Sequence, residues 1–199
     1  MSPRLVLAST SRYRAELLAR LEVPFEALAP AFDEEAEIAR FDALGPAGFA
    51  AHLARGKAAS LRAVRPDAWI LAADQIGVQE QGGRAVLLRK PGSEEAARAQ
   101  LASLAGRSHE LLTAVVLVGP GGAPRSEALG HYRLHMRDFS PDEAARYVAR
   151  HRPLDCAGGY RIEDAGIALF DRIESDDYTG IVGLPLIAVS KLLREAGLL

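Results

Sequence analysis

Leu5-Val6-Leu7-Ala8 is a short unbroken apolar run followed by the hydroxyl-rich Ser9-Thr10-Ser11. From Arg12 to Leu21 the apolar residues Ala15, Leu17, Leu18 and Leu21 recur at helical spacing. The chain therefore opens as strand, polar turn and helix. Val23 to Ala29 predicts a second strand, stopped by Pro30; Asp33-Glu34-Glu35 reads as an acidic loop, and Pro46 to Val64 as a long alanine-rich helix. Trp69 to Ala73 predicts a buried strand with Asp74-Gln75 at its end. Ile76 to Gln79 and Ala85 to Leu88 flank Gln81-Gly82-Gly83 as a hairpin. Ser93 to Leu104 is helical, with Ser93 as N-cap and two glutamates in the first turn. Glu110 to Val118 and Glu127 to Met136 read as paired strands around Gly119-Pro120-Gly121-Gly122. Ser140 to Arg150 is a capped helix, Ile167 to Ile173 a strand, and Pro185 to Ala196 a last helix with proline in its first turn.

Hairpins and helical crossovers together indicate an α/β fold with a mixed β-sheet flanked by helices. The 199 residues suit one domain or two tightly joined lobes, with no repeat, low-complexity tract or linker. A net charge of -2 argues against a surface built to coat a nucleic acid polymer. With Cys156 the lone cysteine, no internal disulfide forms, which suits a reducing cytoplasm. The stretch from Met1 to Ser11 carries no basic segment followed by an apolar core and cleavage site, and no apolar run approaches the ~20 residues of a membrane helix. The expectation is a cytoplasmic protein without a membrane partner.

Several residues offer chemistry. Ser9-Thr10-Ser11-Arg12-Tyr13-Arg14 places hydroxyls and guanidinium groups at a helix N-terminus, where unpaired N–H groups favour phosphate. Taken alone, these residues read better as ordinary capping and solvated arginines. Asp74, after an apolar strand, serves equally as a metal ligand, a proton acceptor or a turn cap. Lys57 and Lys90 suit polyphosphate, although each alone reads as a solvated surface lysine. Asp33-Glu34-Glu35 reads as solvated. The small residues of Cys156-Ala157-Gly158-Gly159-Tyr160 either let backbone approach a ligand or make a tight turn beside the core. Cys156 itself reads as a small buried side chain, and no histidine is assigned a catalytic role.

Each signal is weak, but their order is specific. Leu7-Ala8-Ser9-Thr10-Ser11-Arg12-Tyr13-Arg14-Ala15-Glu16-Leu17-Leu18 resembles the opening motif of Maf-type nucleotide pyrophosphatases. So do Lys57-Ala58, Ala73-Asp74-Gln75, Lys90-Pro91, Leu104-Ala105-Gly106-Arg107-Ser108-His109, Ala157-Gly158-Gly159-Tyr160 and Val182-Gly183-Leu184-Pro185-Leu186. The resemblance covers essentially the whole chain and implies one domain over residues 1–199. It also implies a Maf/ITPase-like two-lobed architecture with a central cleft, often in a homodimer. The implied reaction is attack of water on the α-phosphorus of a nucleoside triphosphate, releasing a monophosphate and pyrophosphate. In that family Asp74 matches the proton acceptor or metal carboxylate, and Ser9, Ser11, Arg14, Lys57 and Lys90 match phosphate-side groups. Glu34 matches an acidic position that, with Asp74, helps hold a divalent cation, Mg²⁺ or Mn²⁺.

Two departures stand out. Arg12 replaces the family's usual proline, and Cys156 replaces a frequent lysine. Pro153-Leu154-Asp155-Cys156-Ala157-Gly158 is similar to the branch acting on 7-methyl-GTP, which suggests house-cleaning of modified nucleotides. Positions that vary with the base are here Tyr13, Gln75 and Glu163, where the dTTP- and UTP-acting branch tends to carry arginine, threonine and glutamine. An aromatic ring stacks on a cationic base, and a carboxylate accepts from guanine N–H groups while offsetting the charge. The alternatives are a dTTP/UTP pyrophosphatase of the same family, or a nucleotide-binding regulator of septum formation.

Overall fold

A computed structural model describes residues 5–122 and 126–199, and the statements below concern those residues. Met1 to Arg4, within the stretch read above as lacking a leader, lie outside them.

The chain starts with β1 (Leu5–Ala8), which lies parallel to both β2 (Phe25–Leu28) and β3 (Trp69–Gln81). Parallel neighbours need crossover connections. Helix α1 (Arg12–Ala19) joins β1 to β2, and α2 (Phe41–Leu61) lies between β2 and β3. β4 (Arg84–Leu88) turns back against β3, with Gln81 opposite Arg84 across Gly82-Gly83. Helix α3 (Glu94–Leu104) leads to β5 (Ser108–Val118), followed by β6 (Ser126–Met136). Helix α4 (Pro141–His151) and a 3-10 turn at Ala165–Leu169 precede β7 (Phe170–Glu174), antiparallel to β6. Helices α5 (Tyr178–Val182) and α6 (Leu186–Glu195) complete the chain. The strands form one mixed sheet in the order β2-β1-β3-β5-β6-β7, with β4 paired to β3 outside that row.

Most predicted elements form where the pattern placed them, and the serine caps are visible: Ser11, Ser93 and Ser140 each accept from a backbone N–H of the first turn. Four differences have physical causes. The strand at Trp69 does not stop before Asp74-Gln75 but runs on through 13 residues to Gln81. Polar side chains interrupt the apolar pattern, yet a backbone ladder does not depend on them. The helix predicted from Pro46 is the second segment of α2, which breaks at Gly45 (φ 65, ψ 171). The strand predicted from Ile167 begins as a 3-10 turn and extends only from Phe170. Helix α5, five residues long, was not anticipated; it is too short to show a period.

The chain groups into two compact units, one of Met1–Gln75, Leu112–Gly130 and Asp177–Leu199, the other of Ile76–Leu111 and His131–Asp176. In the first unit, the odd-numbered side chains of three strands share one face: Leu5 and Leu7, Leu71 and Ala73, Val115 and Leu117. They pack against Leu17 and Leu18 of α1, Leu184, and Val189, Leu192 and Leu193 of α6. A second packing detail fixes the acidic segment ahead of α2. A Cβ added at Gly56 would lie 2.2 Å from Cε2 of Phe32, so the bare backbone of α2 is the seat of that ring. Asp33 then caps the turn, accepting from Glu35 N at 3.0 Å and Ala36 N at 3.4 Å. In the second unit α3 packs on α4 and on the Ala157–Gly159 turn, and His109, Tyr160 and Phe170 form an aromatic cluster.

Candidate active site

The first unit gathers most of the candidate residues where its parallel strands end. Leu7 is the last β1 residue paired with β3, opposite Leu71, and β1 stops at Ala8. Asp74 and Gln75 lie beyond that pair on β3, which outruns its neighbour. The aspartate is therefore not at the end of its own strand, as the sequence pattern had it. It sits instead just outside the carboxyl end of β1, where ligands gather in α/β sheets.

Alternation along β3 sends Asp74 to one face and Gln75 to the other. Asp74 is 3% exposed and accepts a hydrogen bond from Lys57 Nζ of α2, which also meets Glu34 Oε1 at 2.7 Å. Lys57 is 5% exposed, so the reading as a solvated surface lysine is corrected. The cause is its helical register: buried Phe49, Ala50, Leu53, Ala54, Ala58 and Leu61 form the apolar stripe of α2, and Lys57 falls inside it. A buried ammonium needs carboxylate partners, and two are present. Glu34 is correspondingly half-buried and ion-paired, which corrects the solvated reading for this residue, while Asp33 and Glu35 are exposed as expected. Burial pushes the Asp74 carboxyl above the usual carboxylate range; Lys57 and then Arg14 pull it down, and Glu34 adds to the rise.

Arg14, on α1, donates from Nε to the Gly183 carbonyl at 2.9 Å, which leaves the two terminal nitrogens of its fork for a ligand. Ser9 is buried and its Oγ accepts from Ser11 N at 3.1 Å, while Ser11 Oγ accepts from Arg14 N at 3.3 Å. Both serines thus shape the turn as acceptors, and each keeps a hydroxyl proton to donate. Arg12 starts α1 in place of proline without disturbing it; the side chain pairs with Glu16 at 3.1 Å and its guanidinium carbon lies 5.3 Å from the centre of the Tyr13 ring. The Tyr13 ring therefore already has a cation over it. Gln75 donates from Nε2 to Thr113 Oγ1, the Gly180 carbonyl and the Ile181 carbonyl at 2.9, 2.9 and 3.0 Å.

Lys90 and Glu163 belong to the second unit. Lys90 is exposed, just after β4, and its loop is tied down where Gly92 N donates to the Leu154 carbonyl at 2.9 Å. Glu163 is half-buried and burial raises its carboxyl above the ordinary range; its own backbone N–H lowers it and neighbouring Asp164 raises it further. Burial pushes the half-buried Cys156 thiol up to about 12, against the lowering effect of Arg161. This suits an inert thiol. Gly158 and Gly159 have φ of 85 and 70, and a Cβ at Gly158 would lie 2.5 Å from the Tyr160 ring. Of the two readings of this segment, a tight turn beside the core accounts for its glycines. Sequence reasoning missed Thr113, fully buried and hydrogen-bonded to Gly180, although a polar residue inside the apolar run Leu111 to Val118 was a visible signal.

Among the described residues no group of three or more His, Cys, Asp and Glu side chains is arranged to hold a metal ion. Asp74 and Glu34 supply hard oxygen atoms around one ammonium group. Mg²⁺ commonly uses one or two carboxylates together with substrate phosphates and water, so this donor set fits a cation that arrives with a phosphorylated ligand.

Cationic and carboxylate side chains beyond parallel strand ends are a setting in which α/β proteins bind charged ligands. The chain belongs to the family described as Maf-like protein, which it matches over residues 4–196. It is 45% identical over 197 residues to a protein of Xanthomonas campestris pv. campestris named 7-methyl-GTP pyrophosphatase, covering 99% of this chain and 98% of that one. A protein of Bdellovibrio bacteriovorus with the same name is 43% identical over 195 residues, covering 98% of each. A third of that name, from Syntrophotalea carbinolica, is 38% identical over 193 residues, covering 97% of this chain and 94% of that one. No described helix is long and apolar enough to cross a membrane.

Proposed function

We propose that this chain is a nucleoside triphosphate pyrophosphatase that hydrolyses 7-methyl-GTP to 7-methyl-GMP and pyrophosphate. The observation that carries this reading is the Asp74–Lys57–Glu34 cluster, with its aspartate and lysine buried and Arg14 close enough to lower the Asp74 carboxyl. The names of the full-length relatives support the same reaction and the same base.

Asp74 takes a proton from the attacking water; its burial makes the carboxylate a better base than an exposed one. The water oxygen bonds to the α-phosphorus, the α–β bridging P–O bond breaks, and pyrophosphate leaves with that electron pair. Lys57 holds the Asp74 carboxylate in place and offers positive charge to the triphosphate. Arg14, Lys90 and the hydroxyls of Ser9 and Ser11 bind the phosphates. Asp74 and Glu34 would hold a divalent cation, Mg²⁺ or Mn²⁺, which when bound neutralises phosphate charge. Tyr13, Gln75 and Glu163 select the base, Tyr13 by stacking on its positive charge and Glu163 by accepting from its N–H groups. The whole chain acts as one domain, works as a homodimer in the cytoplasm and removes modified nucleotides. The dimer rests on the family resemblance and the compartment on the single cysteine.

The test is a hydrolysis panel of 7-methyl-GTP, GTP, dTTP and UTP with Mg²⁺ or Mn²⁺, with both products identified. The expected outcome is the highest kcat/KM for 7-methyl-GTP. A preference for dTTP or UTP would overturn the base and keep the reaction; nucleotide binding with no pyrophosphate release would overturn the reaction.

A further inference from the structure

Helix α5 is five residues long, too short to be stable by its own hydrogen bonds. Its N-terminus is capped by Asp177, whose Oδ1 accepts from Thr179 N at 3.0 Å while Oδ2 accepts from Ile187 N at 2.8 Å. Its last carbonyls accept from the chain that follows, Gly180 O from Gly183 N and Thr179 O from Leu184 N, both at 3.1 Å, and side chains from elsewhere in the first unit add further bonds. Gly180 O accepts from Thr113 Oγ1 at 2.8 Å and from Gln75 Nε2 at 2.9 Å, and Ile181 O accepts from Gln75 Nε2 at 3.0 Å. Thr113 Oγ1 also accepts from Gln75 Nε2 at 2.9 Å, so Gln75, Thr113 and Gly180 form a closed polar triangle. Thr113 is 0% exposed. The row ends at Gly183, whose carbonyl accepts from Arg14 Nε. A Cβ at Gly183, which has φ +118, would lie 3.4 Å from that same nitrogen.

We propose that Thr113 is a positioning residue for the nucleotide site: it anchors the Gly180–Gly183 carbonyl row on which Arg14 is seated, and with that row it holds Gln75 as a group that can only accept. The second part follows from amide chemistry. Two backbone carbonyls surround the Gln75 side-chain nitrogen, so the amide cannot be turned over without opposing oxygen to oxygen. Both amide hydrogens are engaged, and Oε1 is what remains for a ligand. Gln75 therefore favours ligands that present an N–H or O–H at that point. Arg14 in turn has Nε committed to Gly183, which fixes the plane of its fork and aims its terminal nitrogens. A triphosphate meets an arginine whose orientation is set by a threonine it never touches.

The proposal rests on the assignment of Arg14 to phosphate, and the test separates the two. Thr113→Val keeps the shape and removes the hydroxyl; Thr113→Ser keeps the hydroxyl. Both are compared with the parent, Arg14→Ala and Arg14→Ala/Thr113→Val, each with a thermal melt. Two quantities are read: kcat and KM for 7-methyl-GTP with Mg²⁺, and the Kd for inorganic tripolyphosphate by calorimetry. We expect Thr113→Val to raise KM and the tripolyphosphate Kd about fivefold, on the scale of one hydrogen bond, with kcat changed less than about twofold. Thr113→Ser should restore both, and Thr113→Val should have almost no further effect on the tripolyphosphate Kd once Arg14 is gone, because on phosphate the two act through one another. Parent-like KM and Kd in Thr113→Val, or an equal effect on the tripolyphosphate Kd with and without Arg14, would overturn the proposal. If Thr113→Val does not fold, Thr113→Ala is read in the same cycle against the same outcomes. If the parent releases no pyrophosphate, the reaction assignment fails by itself, and the tripolyphosphate arm still decides whether Thr113 acts through Arg14.

Discussion

Lys57 and Asp74, 17 residues apart in sequence, meet as a buried ion pair whose lysine also holds Glu34. A pair of this kind is sensitive to losing either member, because the survivor is left charged in the interior. Lys57→Met should destabilise the protein by about 3–5 kcal/mol at neutral pH, read as a lower urea midpoint. Asp74→Asn is the milder change for folding, since Lys57 keeps Glu34. It should lower turnover by about 10²–10⁴-fold with a near-parental melt. An Asp74→Asn enzyme that keeps most of its rate with saturating metal would remove the aspartate from the reaction.

Arg14 and Lys90 should separate by their effect on folding. Arg14→Ala loses the bond to Gly183 and, on the proposed function, a phosphate contact, so a modest drop in melting should accompany a large rise in KM. Lys90 is exposed, and Lys90→Ala should change stability by no more than about 0.5 kcal/mol while weakening triphosphate hydrolysis. Steady-state kinetics beside thermal melts check both; unchanged kinetics in Lys90→Ala would make it a surface residue.

Tyr13→Ala and Glu163→Gln should each reduce the preference for 7-methyl-GTP over GTP about tenfold, on the scale of a stacked cation or a charge-assisted hydrogen bond. The measurement is kcat/KM for both nucleotides in the parent and both variants. Equal losses for the two nucleotides would mean that neither side chain reads the methyl group's charge.

The parallel half of the fold was legible because Leu5-Val6-Leu7-Ala8 and Trp69 to Ala73 are unbroken apolar runs separated by helical periods. The order of strands was not, since pairing is decided by packing far along the chain. Lys57 shows how a local reading misses a site. Taken singly it is one of many lysines, but the stripe Phe49, Leu53, Lys57, Leu61 places it on the buried face of its helix. That register was available in the sequence and should have outweighed the residue type. Asp74 lies beyond the end of β1 and not at the end of β3, where the apolar pattern had placed it. Thr113 interrupts an apolar run, but its role was not legible because its partners are the Gln75 side chain and a carbonyl of a helix too short to leave a pattern.

His109 predicts an acid-sensitive fold. It is buried, and burial, aided by the charge of His135, lowers its imidazole from 6.5 to about 4. Nε2 lies 2.7 Å from the Tyr160 hydroxyl, and Nδ1 is the one buried side-chain nitrogen or oxygen among the described residues without a partner. The folded state thus resists a proton that the unfolded chain accepts, so stability is intact above pH 6.5 and falls as the pH drops towards 4. The loss should reach about 3 kcal/mol at the acid end. Urea unfolding from pH 7 to 4.5 should show a shallower acid limb in His109→Gln than in the parent. Parallel limbs would clear His109 of this role.

Cys156 should be slow to alkylate. With its thiol pushed up to about 12, almost none is thiolate at pH 8, and iodoacetamide should modify it far more slowly than a free cysteine. Mass spectrometry over time checks this; labelling as fast as the free amino acid would contradict the burial of the thiol.

The seat of Phe32 on the bare backbone at Gly56 makes those two positions a single unit of inheritance. A side chain at 56 displaces the ring at 32 or requires a smaller one, and a smaller residue at 32 opens a space that a larger one at 56 can fill. Because Glu34 follows two residues after the ring and Lys57 one residue after the glycine, any such exchange also moves the carboxylate relative to the ammonium. Drift at this pair should therefore proceed by paired substitutions, with the single intermediates recording themselves as loss of activity before loss of fold.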